Sequence, residues 1–153
     1  MIGNDIVDLE QAAKDSNWMR KGYLDKLFTE GEQFLIKTAE DANLMVWLLW
    51  SMKESAYKIN SRQTKLRSFA PVKLVCNDLI LHNQTAKGLV EYDDELYYTS
   101  SEFNQDYIHT IASDKKEELE QIRISITGLQ TDYQRSKPKC VSHHGRYLAL
   151  TYL

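Results

Sequence analysis

Asp41-Ala42-Asn43-Leu44-Met45-Val46-Trp47-Leu48-Leu49-Trp50-Ser51-Met52-Lys53-Glu54-Ser55-Ala56-Tyr57-Lys58-Ile59 is the stretch that organises this chain. Asp41 has the chemistry of an N-cap, and the residues after it have helical periodicity. Met45, Leu48, Leu49, Met52, Ala56 and Ile59 recur at helical spacing, which predicts a helix over Ala42 to Ile59 with one side turned to a core. Trp47, Ser51, Glu54 and Lys58 succeed each other at three- or four-residue steps on another line. Glu54 and Lys58 therefore stand on one face, away from the deepest packing. Taken alone, such a pair reads as a solvated surface ion pair.

Upstream, Met1 to Leu9 reads as a short strand that closes on Asp5 and Asp8. Polar residues continue through Asn17, and Trp18 to Leu24 suggests a turn or short helix. Thr29-Glu30-Gly31-Glu32 has the form of a capping box, which predicts a helix over Glu30 to Thr38 with Phe34 and Leu35 inward. Downstream, Val72 to Cys76 and Leu79 to Leu81 read as strands around a turn at Asn77-Asp78. Gly88 to Tyr92, Leu96 to Thr99 and Tyr107 to Ala112 are further strand candidates. A polar helix is expected over Asp114 to Gln121, then a strand over Ile122 to Ile126. Thr127 to Lys139 reads as a turn-rich mobile loop, and Tyr147 to Leu153 as a closing strand. Helices early and strands late give an α+β class, helices packed on a mostly antiparallel sheet, in a single domain spanning 1–153.

At 153 residues the chain can bury a core without covalent staples. A formal net charge of −3 gives no general argument for nucleic acid as a partner. The longest apolar run, Leu44 to Trp50, is too short to span a bilayer. Cys76 and Cys140 are the two cysteines. Nothing in Met1-Ile2-Gly3 has the character of a secretory leader, so a reduced, cytoplasmic setting without a disulfide is expected.

Two acids and an amine could serve a hard divalent cation and an anionic substrate. The residues around them carry a resemblance. Gly3-Asn4-Asp5-Ile6-Val7-Asp8-Leu9 and Trp50-Ser51-Met52-Lys53-Glu54-Ser55-Ala56-Tyr57-Lys58 resemble the two signature motifs of the 4'-phosphopantetheinyl transferase superfamily. Those motifs are Gly-x-Asp-Ile-x-x and Trp-x-x-Lys-Glu-(Ser/Ala)-x-x-Lys. A third stretch, Val141-Ser142-His143-His144-Gly145-Arg146-Tyr147, resembles the Ser-His segment with which the family contacts coenzyme A. The order of motifs is similar to that of the holo-acyl-carrier-protein synthases.

The resemblance implies transfer of 4'-phosphopantetheine from coenzyme A to a serine of an apo acyl or peptidyl carrier protein, dependent on Mg²⁺, with 3',5'-ADP released. It implies Asp5 and Glu54 as metal ligands, Glu54 also as base, and Lys58 on the phosphates. Asp8 is implied either as a third ligand or as an acid supporting the others. Ser142, His143 and His144 fall to coenzyme A, with His144 the better match to the family's histidine. Lys53 is the motif's first lysine, and a helix-surface salt bridge is the plain alternative for it. Trp47 and Trp50 read as packing residues, one of which could wall the cleft. Arg62, Lys65 and Arg67 form a basic cluster suited to the 3'-phosphate of coenzyme A or to an acidic carrier helix. Arg20 and Lys21 suit the carrier protein by charge.

Two features depart from the family pattern. Ile59-Asn60-Ser61-Arg62-Gln63 holds no glycine where the family has a glycine-rich stretch. Tyr107 to Ala112 resembles a closing strand, leaving residues 114–153 as an extension that carries the His segment. One expectation is that this extension completes the site of a neighbouring protomer in a homo-oligomer such as a trimer. The competing reading of the chain is a catalytically silent module of the same fold that binds coenzyme A or a carrier protein.

Overall fold

The computed structural model describes residues 1–128 and 132–153. Its elements run β1 (Ile2–Asp8), α1 (Leu9–Asp15), α2 (Tyr23–Leu27), α3 (Glu30–Thr38) and α4 (Ala42–Thr64). Then come β2 (Val75–His82), β3 (Thr85–Tyr92), β4 (Glu95–Phe103), β5 (Tyr107–Ser113), β6 (Arg123–Gly128), β7 (Cys140–His144) and β8 (Tyr147–Tyr152). A five-stranded sheet has the order β1-β5-β4-β3-β2, and a three-stranded sheet the order β6-β8-β7. Every strand pair is antiparallel. The α+β architecture of helices on antiparallel sheet is therefore present.

α4 lies across β1, β5 and β4. Its six expected core positions are all buried, from Met45 at 8% exposure to Ile59 at 0%. Asp41 caps it through a bond from the Leu44 amide. The helix runs past Ile59 to Thr64 because its polar last turn is anchored. Asn60 donates to the Tyr97 hydroxyl and Gln63 to Asp114. Lys65, with φ of 62°, then ends it in the left-handed conformation. Ser51 and Trp47 are buried rather than displayed, because β1 and β5 cover that flank. Only Glu54 and Lys58 of that line reach the edge of the sheet.

The Thr29–Glu32 capping box is formed in full, and α3 has the expected bounds. Its inner side is different. Phe34 is 65% exposed, while Glu32 and Ile36, one turn apart, are buried. An ion pair made by Glu32 turns the helix to that face, which leaves Phe34 outside and Leu35 half-buried.

Asn77-Asp78 is a bulge inside β2 rather than a turn, with the register shifting between Asn77 and Ile80. Val72 belongs to a 3₁₀ turn, Pro71–Lys73, instead of a strand. The tight hairpin turns fall at Asn83 and at Asp93-Asp94, all with positive φ. The expected polar helix after Asp114 is a 3₁₀ segment, Lys116–Gln121. Of the expected loop, Thr127 and Gly128 end β6, residues 129–131 lie outside the described residues, and Gln134–Ser136 is a 3₁₀ turn. α1 arises where the sequence reads as polar, and β7 within the Ser-His stretch, to which the sequence assigns no element. Asp8 explains α1, since its side chain accepts from the Glu10 and Gln11 amides. No helix among the described residues is long and apolar enough to cross a membrane.

Candidate active site at the open edge of the first strand

β1 is an edge strand of the larger sheet, so its even-numbered residues turn backbone groups away from β5. Side chains satisfy these groups. The Asn4 carbonyl accepts from Lys58 Nζ at 2.6 Å and the Ile2 carbonyl from Arg62. The Ile6 amide donates to Ser142 Oγ at 3.1 Å and the Asp8 amide to His144 Nδ1 at 2.9 Å. An edge that could template another strand is thus closed by α4 on one half and β7 on the other.

Gly3 sets how closely α4 approaches. A Cβ there would collide with the Ser55 carbonyl oxygen. One turn on, Ser51 Oγ donates to Thr110 Oγ1 at 2.9 Å and Ser55 Oγ to the Thr110 carbonyl at 3.2 Å. This seam brings Asp5, Glu54 and Lys58 to one cavity of about 630 Å³, which Trp47, Trp50 and Tyr23 also line.

Asp5 is 8% exposed and accepts from Ser142 Oγ at 3.3 Å. Lys58 Nζ stands 3.6 Å from Asp5 Oδ1. Burial nevertheless keeps the Asp5 carboxyl above its ordinary range, with Lys58 and Ser142 pulling the other way. Glu54 is pushed up to about 7, by burial first and then by the charge of Asp5, with Lys58 offsetting part of it. Two carboxylates that resist ionisation beside one lysine form a site with an unmet demand for positive charge. That is the condition a hard cation relieves, so Asp5 and Glu54 fit one. Among the described residues no group of three or more His, Cys, Asp or Glu could hold a metal ion.

Ser142, His143 and His144 all line the cavity. His144 accepts through Nδ1, so the neutral ring carries its proton on Nε2, which lies 3.7 Å from Asp15 Oδ2. His143 is exposed. Trp47 and Trp50 both wall the cleft while packing into the core.

Other expected residues are placed elsewhere. Lys53 is neither catalytic in position nor on the surface. It is 0% exposed and bonds Glu32 Oε1 at 2.7 Å and the Leu27 and Pro71 carbonyls at 2.8 Å. Arg62 does not line the cavity. Its three nitrogens bond the carbonyls of Lys58, Lys139 and Ile2. Lys65 and Arg67 are exposed beyond the end of α4. Arg20 and Lys21 lie in the turn just before Tyr23, exposed and outside the cavity lining. Asp8 also turns from the cavity. Arg146 forks onto it at 3.0 Å from both Nε and Nη2, and holds its carboxyl well below the usual range.

Asp15 and Tyr23 line the cavity unforeseen, and Arg146 stands outside it on Asp8. Arg146 falls inside the Ser-His stretch with no role of its own implied there, and only the fold reveals Asp8 opposite it. Asp15 and Tyr23 sit on short helices with no motif around them.

The sequence pattern of the 4'-phosphopantetheinyl transferase superfamily matches residues 1–112. No curated protein matches the chain in sequence. Among solved structures, the chain is similar to the crystal structure of Thermotoga maritima holo-[acyl-carrier-protein] synthase. The two are 14% identical with a TM-score of 0.51, over 99% of this chain and 83% of that one.

Proposed function

The chain belongs to the 4'-phosphopantetheinyl transferase superfamily, and from that premise we propose that it moves phosphopantetheine from coenzyme A to a carrier-protein serine. The serine oxygen forms a bond to the β-phosphorus as the bond from that phosphorus to the bridging oxygen breaks, releasing 3',5'-ADP. Glu54, pushed up to about 7, is suited to take the serine proton near neutral pH. Lys58 reaches the same cavity and stabilises charge on the phosphates. Asp5 and Glu54 would hold Mg²⁺, which when bound neutralises the pyrophosphate.

Ser142 and His144 tie the far wall of the cavity to β1, and with His143 they border the space for coenzyme A. Of the two roles open to Asp8, we favour support of its neighbours, since its oxygens are already engaged by Arg146 and by the α1 amides. Arg20 and Lys21, beside the mouth residue Tyr23, are assigned to the carrier protein on charge.

The observation that carries this reading is the pair of raised carboxylates sharing one cavity with Lys58. The test is intact-mass spectrometry of apo acyl carrier protein incubated with this protein, coenzyme A and Mg²⁺. A phosphopantetheine-sized gain, abolished by EDTA and by Glu54→Gln, is expected. No gain on any carrier type, with coenzyme A still bound, would replace the reading by the silent binding module.

A further inference from the structure

Residues 114–153 lie beyond the family-matched segment, 1–112, yet they build one wall of the cavity. Ser142 bonds both the Ile6 amide and Asp5, and His144 bonds the Asp8 amide. The turn between β7 and β8 is fitted to Asp8. Gly145 has φ of 51°, and a Cβ on it would run into the Asp8 carboxylate. The next residue, Arg146, meets that carboxylate with its backbone amide at 2.8 Å and its forked guanidinium at 3.0 Å. Beyond the clamp, Asn4 donates to the Ala149 carbonyl, and the rings of Tyr107 and Tyr147 lie 5.0 Å apart.

We propose that Arg146 is a positioning residue. By clamping Asp8 it docks the 140–147 hairpin on the edge of β1, so that one chain closes its own cavity with its own C-terminal segment. The bidentate fork fixes the hairpin in angle as well as in distance. Ser142 is thereby held against Asp5 and the His144 ring against α1.

Two measurements test this, and only the first rests on the transferase reading. Glu54→Gln has an intact hairpin and Arg146→Gln an intact carboxylate pair. Arg146→Gln alone should lower kcat/KM for coenzyme A roughly 10–100-fold, as loss of a supporting contact does. Arg146→Lys, which keeps the charge but cannot fork, should recover only part of it. Mixed in equal amounts, Glu54→Gln and Arg146→Gln should give no more transfer than the sum of each alone. Recovery on mixing would show that the hairpin serves a second copy and would overturn the proposal.

The second readout is hydrogen exchange at the Ile6 and Asp8 amides. Arg146→Gln should speed it roughly 10–100-fold, in proportion to the charge-assisted bonds removed. In the unaltered protein the protection should not change on dilution. Protection lost on dilution, or unchanged in Arg146→Gln, would sink the clamp. If the unaltered protein transfers nothing, the transferase reading fails while exchange still decides the clamp.

Discussion

Lys53 and Lys58 lie on the same helix, and each faces a carboxylate, yet their surroundings are opposite. Lys53 is sealed from solvent and each of its protons has an oxygen. Its partner Glu32 is equally complete, accepting from the Thr29 and Cys76 amides at 2.8 Å. Lys58 is partly exposed, 3.6 Å from Asp5, between two carboxyls that burial pushes towards protonation. The first cluster is finished by the protein itself and knits α3, α4 and β2. The second leaves charge unmet inside a cavity, which is where a reacting group gains most from the protein. The comparison teaches that satisfaction, more than burial, separates the structural lysine of this helix from the one proposed to be functional.

The strongest way to break that comparison is to truncate the finished cluster. Lys53→Ala strands the Glu32 carboxylate in the core, and should cost about 3–5 kcal/mol in urea unfolding at neutral pH. Lys53→Met combined with Glu32→Leu removes both charges and should recover most of that loss. If Lys53→Ala unfolds normally but transfers nothing, Lys53 belongs to the chemistry and the contrast is lost.

A smaller effect, of opposite sign, is expected at the unfinished cluster. Glu54 has a folded value of about 7 against an ordinary 4.5. Between those two pH values the native state keeps a proton that the unfolded state has released. Stability therefore falls as pH rises across that window, and the full cost is present above pH 7. Glu54→Gln carries no such cost. In the absence of metal it should be more stable than the unaltered chain at pH 8 by on the order of 2 kcal/mol, with the gain gone by pH 4. Equal midpoints at pH 8 would mean that Glu54 is not held against its charge. A variant that is both inert and more stable is what a site under electrostatic strain predicts.

The sequence carries this contrast unevenly. Spacing shows the apolar side of α4 and the shared face of Glu54 and Lys58, because helical geometry is local. The capping box at Thr29 is legible for the same reason. What spacing cannot show is which side of the helix the sheet covers. Trp47 and Ser51 are on the Glu54 line and are buried, since β1 and β5 lie there. Lys53 gains its role from Leu27, Glu32 and Pro71, all distant in sequence. Arg62 looks like a phosphate ligand by charge, but the edge of β1 claims it through backbone carbonyls that carry no sequence signal. The hairpin at β7 is hidden for a related reason, because its polar residues bond an edge strand instead of facing water.

The smallest stability effect sharpens the comparison most. Lys58 makes one bond to the Asn4 carbonyl and one longer ion pair with Asp5, and its side chain is 28% exposed. Lys58→Met should cost less than about 1 kcal/mol in the same urea experiment, as partly exposed pairs do. Its kinetic effect should be far larger, roughly a 100-fold loss of transfer, because a cation aimed at developing charge is removed. The pH profile gives an independent check. Lys58 opposes the rise at both Asp5 and Glu54, so without it the acid limb of the rate profile must move to higher pH. If Lys58→Met instead destabilises the chain as much as Lys53→Ala and leaves the limb in place, the two lysines are of one kind. The demand for charge at Asp5 and Glu54 would then have to be met by a metal alone.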